Sequence, residues 1–70
     1  MPTQFHTRLK ELRIQENLTQ EKLSKILFVP RSTFASWEVG VNPPSIDSLI
    51  KIADYFDVSI DYLVGRKEVN

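Results

Sequence analysis

Four polar side chains within six residues, Arg31, Ser32, Thr33 and Ser36, are the groups of this 70-residue chain best placed to do chemistry. Phe34 and Trp37 lie among them three residues apart, so on a helix the apolar pair turns inward and the polar set turns out. The chemistry on offer is hydrogen bonding rather than bond breaking. An arginine fork matches O6 and N7 of guanine in the major groove, and one such pair discriminates by about 1–3 kcal/mol. Serine hydroxyls both donate and accept, so Ser32 and Ser36 read more loosely. Upstream, Thr19 and Gln20 stand where another helix begins, and free amides with the positive end of a helix dipole suit phosphate there.

Catalysis is set aside on composition. The chain has no cysteine, one histidine (His6) and no glycine-rich phosphate loop. Disulfides, thiolate metal sites and ordinary zinc sites are excluded, and no cofactor is implied. His6 reads as exposed and without a role. Asp54, Asp57 and Asp61 lack the spacing of a calcium loop and read as solvated acids. The start of the chain has neither the basic nor the apolar segment of a signal peptide, and no apolar run reaches membrane-spanning length. Absence of cysteine fits a reducing cytoplasm.

Net charge is zero, with six basic residues against four acids in 1–43 and three against five in 44–70. A slightly basic front and a slightly acidic rear fit limited phosphate neutralisation and a limited salt dependence.

The elements that must position these groups are helices. Phe5, Leu9 and Leu12 recur at helical spacing over about 5–16, with Glu16 continuing the stripe, Arg8, Lys10, Glu11 and Gln15 on the other face, and Asn17 as a left-handed stop. Thr19 caps a second helix over 19–27, with Leu23 and Leu27 buried and Ser24 small at a helix crossing. Pro30 forces Val29 into extended backbone and ends it. A third helix runs over 31–38 to Gly40, and Asn42-Pro43-Pro44 is a rigid loop. Ser45 caps a fourth helix over 46–56, whose Ile46, Leu49, Ile50, Ile52, Ala53 and Phe56 form a wide apolar face. Ser59 caps a fifth over 60–64 that Gly65 ends, and 66–70 reads as a frayed tail. The fold class is all-α: one domain of five short helices.

Two helices joined by a tight turn over Leu18–Gly40, with the polar face on the second, form a helix-turn-helix, which lays its second helix in the major groove of DNA. The runs LTQEKL, VPRSTFASWEVG, NPPSIDSLIKIA and VSIDYL, in that order, resemble the Cro/cI-type (XRE-family) repressors over roughly residues 5–64. The resemblance implies a lambda-repressor-like fold, a homodimer on an inverted-repeat operator, and a cytoplasmic, prokaryotic nucleoid-associated regulator. It implies that Arg31, Ser32 and Ser36 face base edges. Thr33 lies near the DNA backbone, Gln20 contacts a phosphate and braces the recognition helix, and the amides around Gly40, Val41 and Asn42 meet phosphate; Thr19 joins this backbone set. Arg13 and Glu38 match a family ion pair, worth only about 0–1 kcal/mol if exposed. The last two helices usually carry the dimer contact, which points to Tyr55, Ile60, Tyr62 and Val64.

Departures from the family fall in the turn. Phe28 stands where glycine is usual, so it either adopts a costly left-handed conformation or reshapes the turn. Pro30 replaces a capping hydroxyl worth about 1 kcal/mol. Asp57 replaces a glycine after helix four. Ile14, Ile26 and Phe28 are apolar at positions expected to be exposed. They read either as scattered surface apolarity or as a small patch for an anti-repressor or an additional C-terminal domain. The rival to a DNA regulator is an antitoxin or protein-interaction module on the same scaffold.

Overall fold

The computed structural model describes residues 4–68. Five helices follow in chain order: α1 (Phe5–Gln15), α2 (Gln20–Ile26), α3 (Arg31–Val39), α4 (Ile46–Phe56) and α5 (Ile60–Leu63). No strand occurs among the described residues. The starts follow their caps. Thr19, Ser45 and Ser59 take extended backbone, and their hydroxyls accept from the amides of Lys22, Ser48 and Tyr62, respectively. α3 alone of the last four starts without a side-chain cap, because Pro30 occupies that position.

All five helices stop in the same way. One residue adopts the left-handed conformation, and the two amides at the stop turn back to carbonyls of the last turn. At α1 these are Asn17 N–H to Ile14 O and Leu18 N–H to Arg13 O; at α2, Phe28 to Lys25 and Val29 to Ser24. α3, α4 and α5 repeat the pattern at Gly40, Asp57 and Gly65. Only two of the five left-handed residues are glycine. Phe28, at φ 60°, therefore carries the strain of a side chain in that region, and the turn keeps its shape.

Leu9, Leu23, Phe34, Ile52 and Leu63, one from each helix, are fully buried and form the centre of the core. Phe34 and Trp37 pack with ring centroids 5.9 Å apart. α3 packs against both α1 and α2, while α5 returns to α1 and α4. Ser24, 2% exposed, is buried in α2, and its hydroxyl donates to the Glu21 carbonyl at 2.7 Å.

Five sequence expectations are corrected. Glu16 is exposed and ends α1 instead of extending its buried stripe. Arg8, assigned to the solvent face, is buried: Nη1 donates to the Tyr62 and Lys67 carbonyls, Nη2 to Gln4 Oε1, and the guanidinium stands 4.1 Å over the Tyr62 ring. The tail is consequently held as far as Glu68, whose carboxylate lies 3.4 Å from Arg8; Val69 and Asn70 lie outside the described residues. Ile46 and Ile50 are exposed, because the apolar arc of α4 is wider than the surface it packs against. Ile26 packs against the core, which leaves Ile14 and Phe28 exposed without it.

Candidate nucleic-acid interface

The site is built on the front of α3. Arg31 and Ser32 occupy its first turn and are exposed. With Pro30 as the cap residue, no side chain covers the helix start and no acid stands in the first turn to draw Arg31 aside. Thr33 and Ser36 are half-buried. The Ser36 hydroxyl donates to the Thr33 carbonyl at 2.6 Å, so its proton is spent and only its lone pairs face outward.

Behind α3 stands a polar clamp. Arg13 Nε donates to Glu38 Oε2 at 2.7 Å and Nη2 to Glu38 Oε1 at 3.1 Å, while Nη1 donates to the Leu18 carbonyl at 2.8 Å. Gln20 Nε2 donates to the same Glu38 Oε1 at 3.0 Å. α1, the start of α2 and the end of α3 are thereby joined at one carboxylate. The side chains of Arg13 and Glu38 are 13% and 2% exposed, so the expectation for an exposed pair does not apply. Gln20 serves as the brace from a half-buried position, which leaves its carbonyl oxygen and second amide hydrogen uncommitted by this contact.

Thr19 is exposed, its oxygen accepting from Lys22 N–H while its own hydrogen stays available. Gly40 N–H donates to Trp37 O at 3.3 Å and Val41 N–H to Ser36 O at 3.0 Å, with Asn42 N 3.5 Å from the same oxygen. These amides close the helix, and Pro43 and Pro44 have none to offer. The Asn42 side chain is exposed. His6 is exposed as expected, and its ring lies against Gly40, about 3.6 Å from where a Cβ there would stand.

The residues expected at a dimer contact differ in exposure. Tyr55 and Ile60 are exposed, whereas Tyr62 lies beneath Arg8 and Val64 is half-buried. Sequence reasoning missed Arg8, although the signal was present. It lies three residues after Phe5 and four before Leu12, inside the apolar stripe.

An exposed polar helix braced from behind, with a second helix start at its flank, defines the class: a helix-turn-helix domain. A helix-turn-helix family model matches residues 9–63, and the chain belongs to that family, the XRE or Cro/cI-type regulators. It is 39% identical over 66 residues to the transcriptional activator BcrR of Enterococcus faecalis, covering 94% of this chain and 32% of that protein. It is 29% identical over 66 residues to the phage CTXphi transcriptional repressor RstR of Vibrio cholerae, covering 94% of this chain and 60% of that one. The crystal structure of a transcriptional regulator from Listeria innocua superposes with a TM-score of 0.87 at 35% identity, over 93% of this chain and 61% of the other. The chain thus spans about a third to three fifths of the length of these relatives.

Proposed function

We propose that the chain is a sequence-specific double-stranded DNA-binding regulator that inserts α3 into the major groove, acts without catalysis, and represses by occluding a promoter. Two copies occupy an inverted-repeat operator whose half-sites lie about 34–36 Å apart. The observation that carries the reading is the pairing of an uncovered α3 start, bearing Arg31 and Ser32, with the buried clamp behind it. A reading helix must be rigid for its side chains to discriminate, and the Arg13–Glu38–Gln20 contacts fix α3 against both α1 and α2.

Within this reading Arg31 takes guanine, and Ser32 and Ser36 contact neighbouring base edges, Ser36 as an acceptor. Thr19, Gln20, Thr33 and the Asn42 side chain meet the DNA backbone. Family membership supports DNA as the ligand and the cytoplasm, on the nucleoid, as the place of action. One relative is named an activator and another a repressor. Repression is the simpler outcome for this domain, because occlusion requires contact with DNA alone. In the longer relatives the remaining chain has room for an anti-repressor contact or a second domain, and the exposed Phe28 is available to either.

Selection of bound duplexes from a random pool, followed by affinity measurement at several salt concentrations, tests the proposal. The expected result is an enriched inverted repeat and a shallow negative salt slope, about −0.9 per phosphate neutralised. Failure to enrich any duplex, with no salt-dependent binding, sinks it in favour of a protein-interaction module.

A further inference from the structure

We infer that Ser36 meets the exocyclic amine of an adenine or a cytosine in the major groove, and that a methyl group on that amine weakens binding. The inference rests on the DNA-binding reading above. It adds the atom that Ser36 recognises and a chemical state of DNA to which binding responds.

The Ser36 hydroxyl donates to the Thr33 carbonyl at 2.6 Å, within the range of a well-formed bond, about 2.5–3.0 Å. A serine hydroxyl has one hydrogen and two lone pairs. With the hydrogen engaged on the helix itself, acceptor capacity alone remains. Ser36 stands one turn after the exposed Ser32, on the face away from the buried Phe34, Trp37 and Glu38. Residues at that spacing share a face, so the lone pairs lie on the reading side. Ser36 is half-buried and not closed off.

The groove edges divide cleanly against an acceptor. Guanine O6 and N7 and thymine O4 only accept, and would set lone pair against lone pair. Adenine N6 and cytosine N4 donate. Arg31 is the reverse case, since a guanidinium has donors and no acceptor and so takes guanine. The two residues therefore demand opposite chemistry from a half-site. Every base pair carries one such amine, so the contact at Ser36 fixes which strand bears it.

The effect of methylation follows from counting hydrogens. An exocyclic amine has two, and Watson–Crick pairing uses one. In paired N6-methyladenine or N4-methylcytosine the single remaining hydrogen stays in the pair, and the methyl group takes the groove position. The donor that Ser36 needs is then replaced by an apolar group, which leaves the serine oxygen desolvated and unmatched. That oxygen cannot swing aside without breaking its bond to Thr33.

The test is an atom-by-atom scan of a selected duplex. At each adenine and cytosine in turn the amine is methylated, or removed by using purine or 2-pyrimidinone as the base. At one position in each half-site both changes should weaken wild-type binding about tenfold, as for one hydrogen bond left unmatched. Ser36→Ala should bind the unmodified duplex about tenfold more weakly than wild type and be indifferent to both changes at that position. Ser36→Cys, which keeps the shape and substitutes a weakly accepting sulfur, should behave like Ser36→Ala, and melting curves of both check the fold. The inference is overturned if wild type tolerates methylation at every adenine and cytosine, or if either folded variant keeps the full penalty wherever wild type shows one. It is equally overturned if Ser36→Ala loses sensitivity at a guanine O6 or a thymine O4, since Ser36 would then be a donor. A wild-type chain that binds no duplex overturns the regulator reading itself, a result distinct from binding that ignores methylation.

Discussion

Arg13 and Glu38 face each other across 25 positions of chain through two hydrogen bonds, and the carboxylate they share with Gln20 is almost completely shielded from water. A buried pair of this kind is costly to break from one side, because the remaining charge is left without a partner. The two single variants Arg13→Ala and Glu38→Ala should each lose about 3–5 kcal/mol, comparable to the whole net stability of about 3–5 kcal/mol expected for a core this small. Replacing both with apolar residues of similar size, Arg13→Met with Glu38→Leu, should restore a cooperative urea transition. Single variants that unfold with the wild-type midpoint would show that the clamp does not hold α3.

Phe28 makes an opposite prediction. Its backbone is left-handed at φ 60° and its ring is 87% exposed, so the side chain carries the conformational cost with little burial in return. Phe28→Gly should raise stability by about 1–2 kcal/mol, which for a domain of this size lifts the melting temperature by about 4–8 °C per kcal/mol. A lower melting temperature would mean that the ring contributes packing within the free chain.

Arg8 ties the end of the described chain to α1. Arg8→Ala should lower stability by about 1.5–3 kcal/mol, the range for hydrogen bonds made by a charged group. Amide exchange gives the more specific readout. The amides of Arg66 and Lys67, which both donate to the Asp61 carbonyl, should lose protection while those at the centre of α3 keep theirs relative to global unfolding. Unchanged protection at both positions would refute the tie.

The helix starts and stops were legible because each rests on local chemistry. Thr19, Ser45 and Ser59 cap where the sequence pattern places them, and Asn17, Gly40 and Gly65 take the left-handed stops. The fate of Arg8 was hidden because a helical pattern sorts side chains by polarity, whereas a long guanidinium can enter an apolar stripe if carbonyls converge on its end. Those carbonyls belong to Tyr62 and Lys67, more than fifty residues away. The exposure of Ile46 and Ile50 was hidden for a related reason. Periodicity gives the width of an apolar face, but only the neighbouring elements determine how much of it is covered. The bonds by which the Gly40 and Val41 amides close α3 were not read from the sequence either.

The most direct test of the central claim is a base-by-base comparison of wild type and Arg31→Ala on a duplex recovered by selection. Wild type should lose about 10- to 100-fold in affinity when one particular guanine in each half-site is replaced, corresponding to about 1–3 kcal/mol. Arg31→Ala should show about the same loss on the intact duplex and be indifferent to that replacement. An Arg31→Ala chain that keeps wild-type affinity and wild-type discrimination at every guanine would contradict the assignment of α3 as the reading helix.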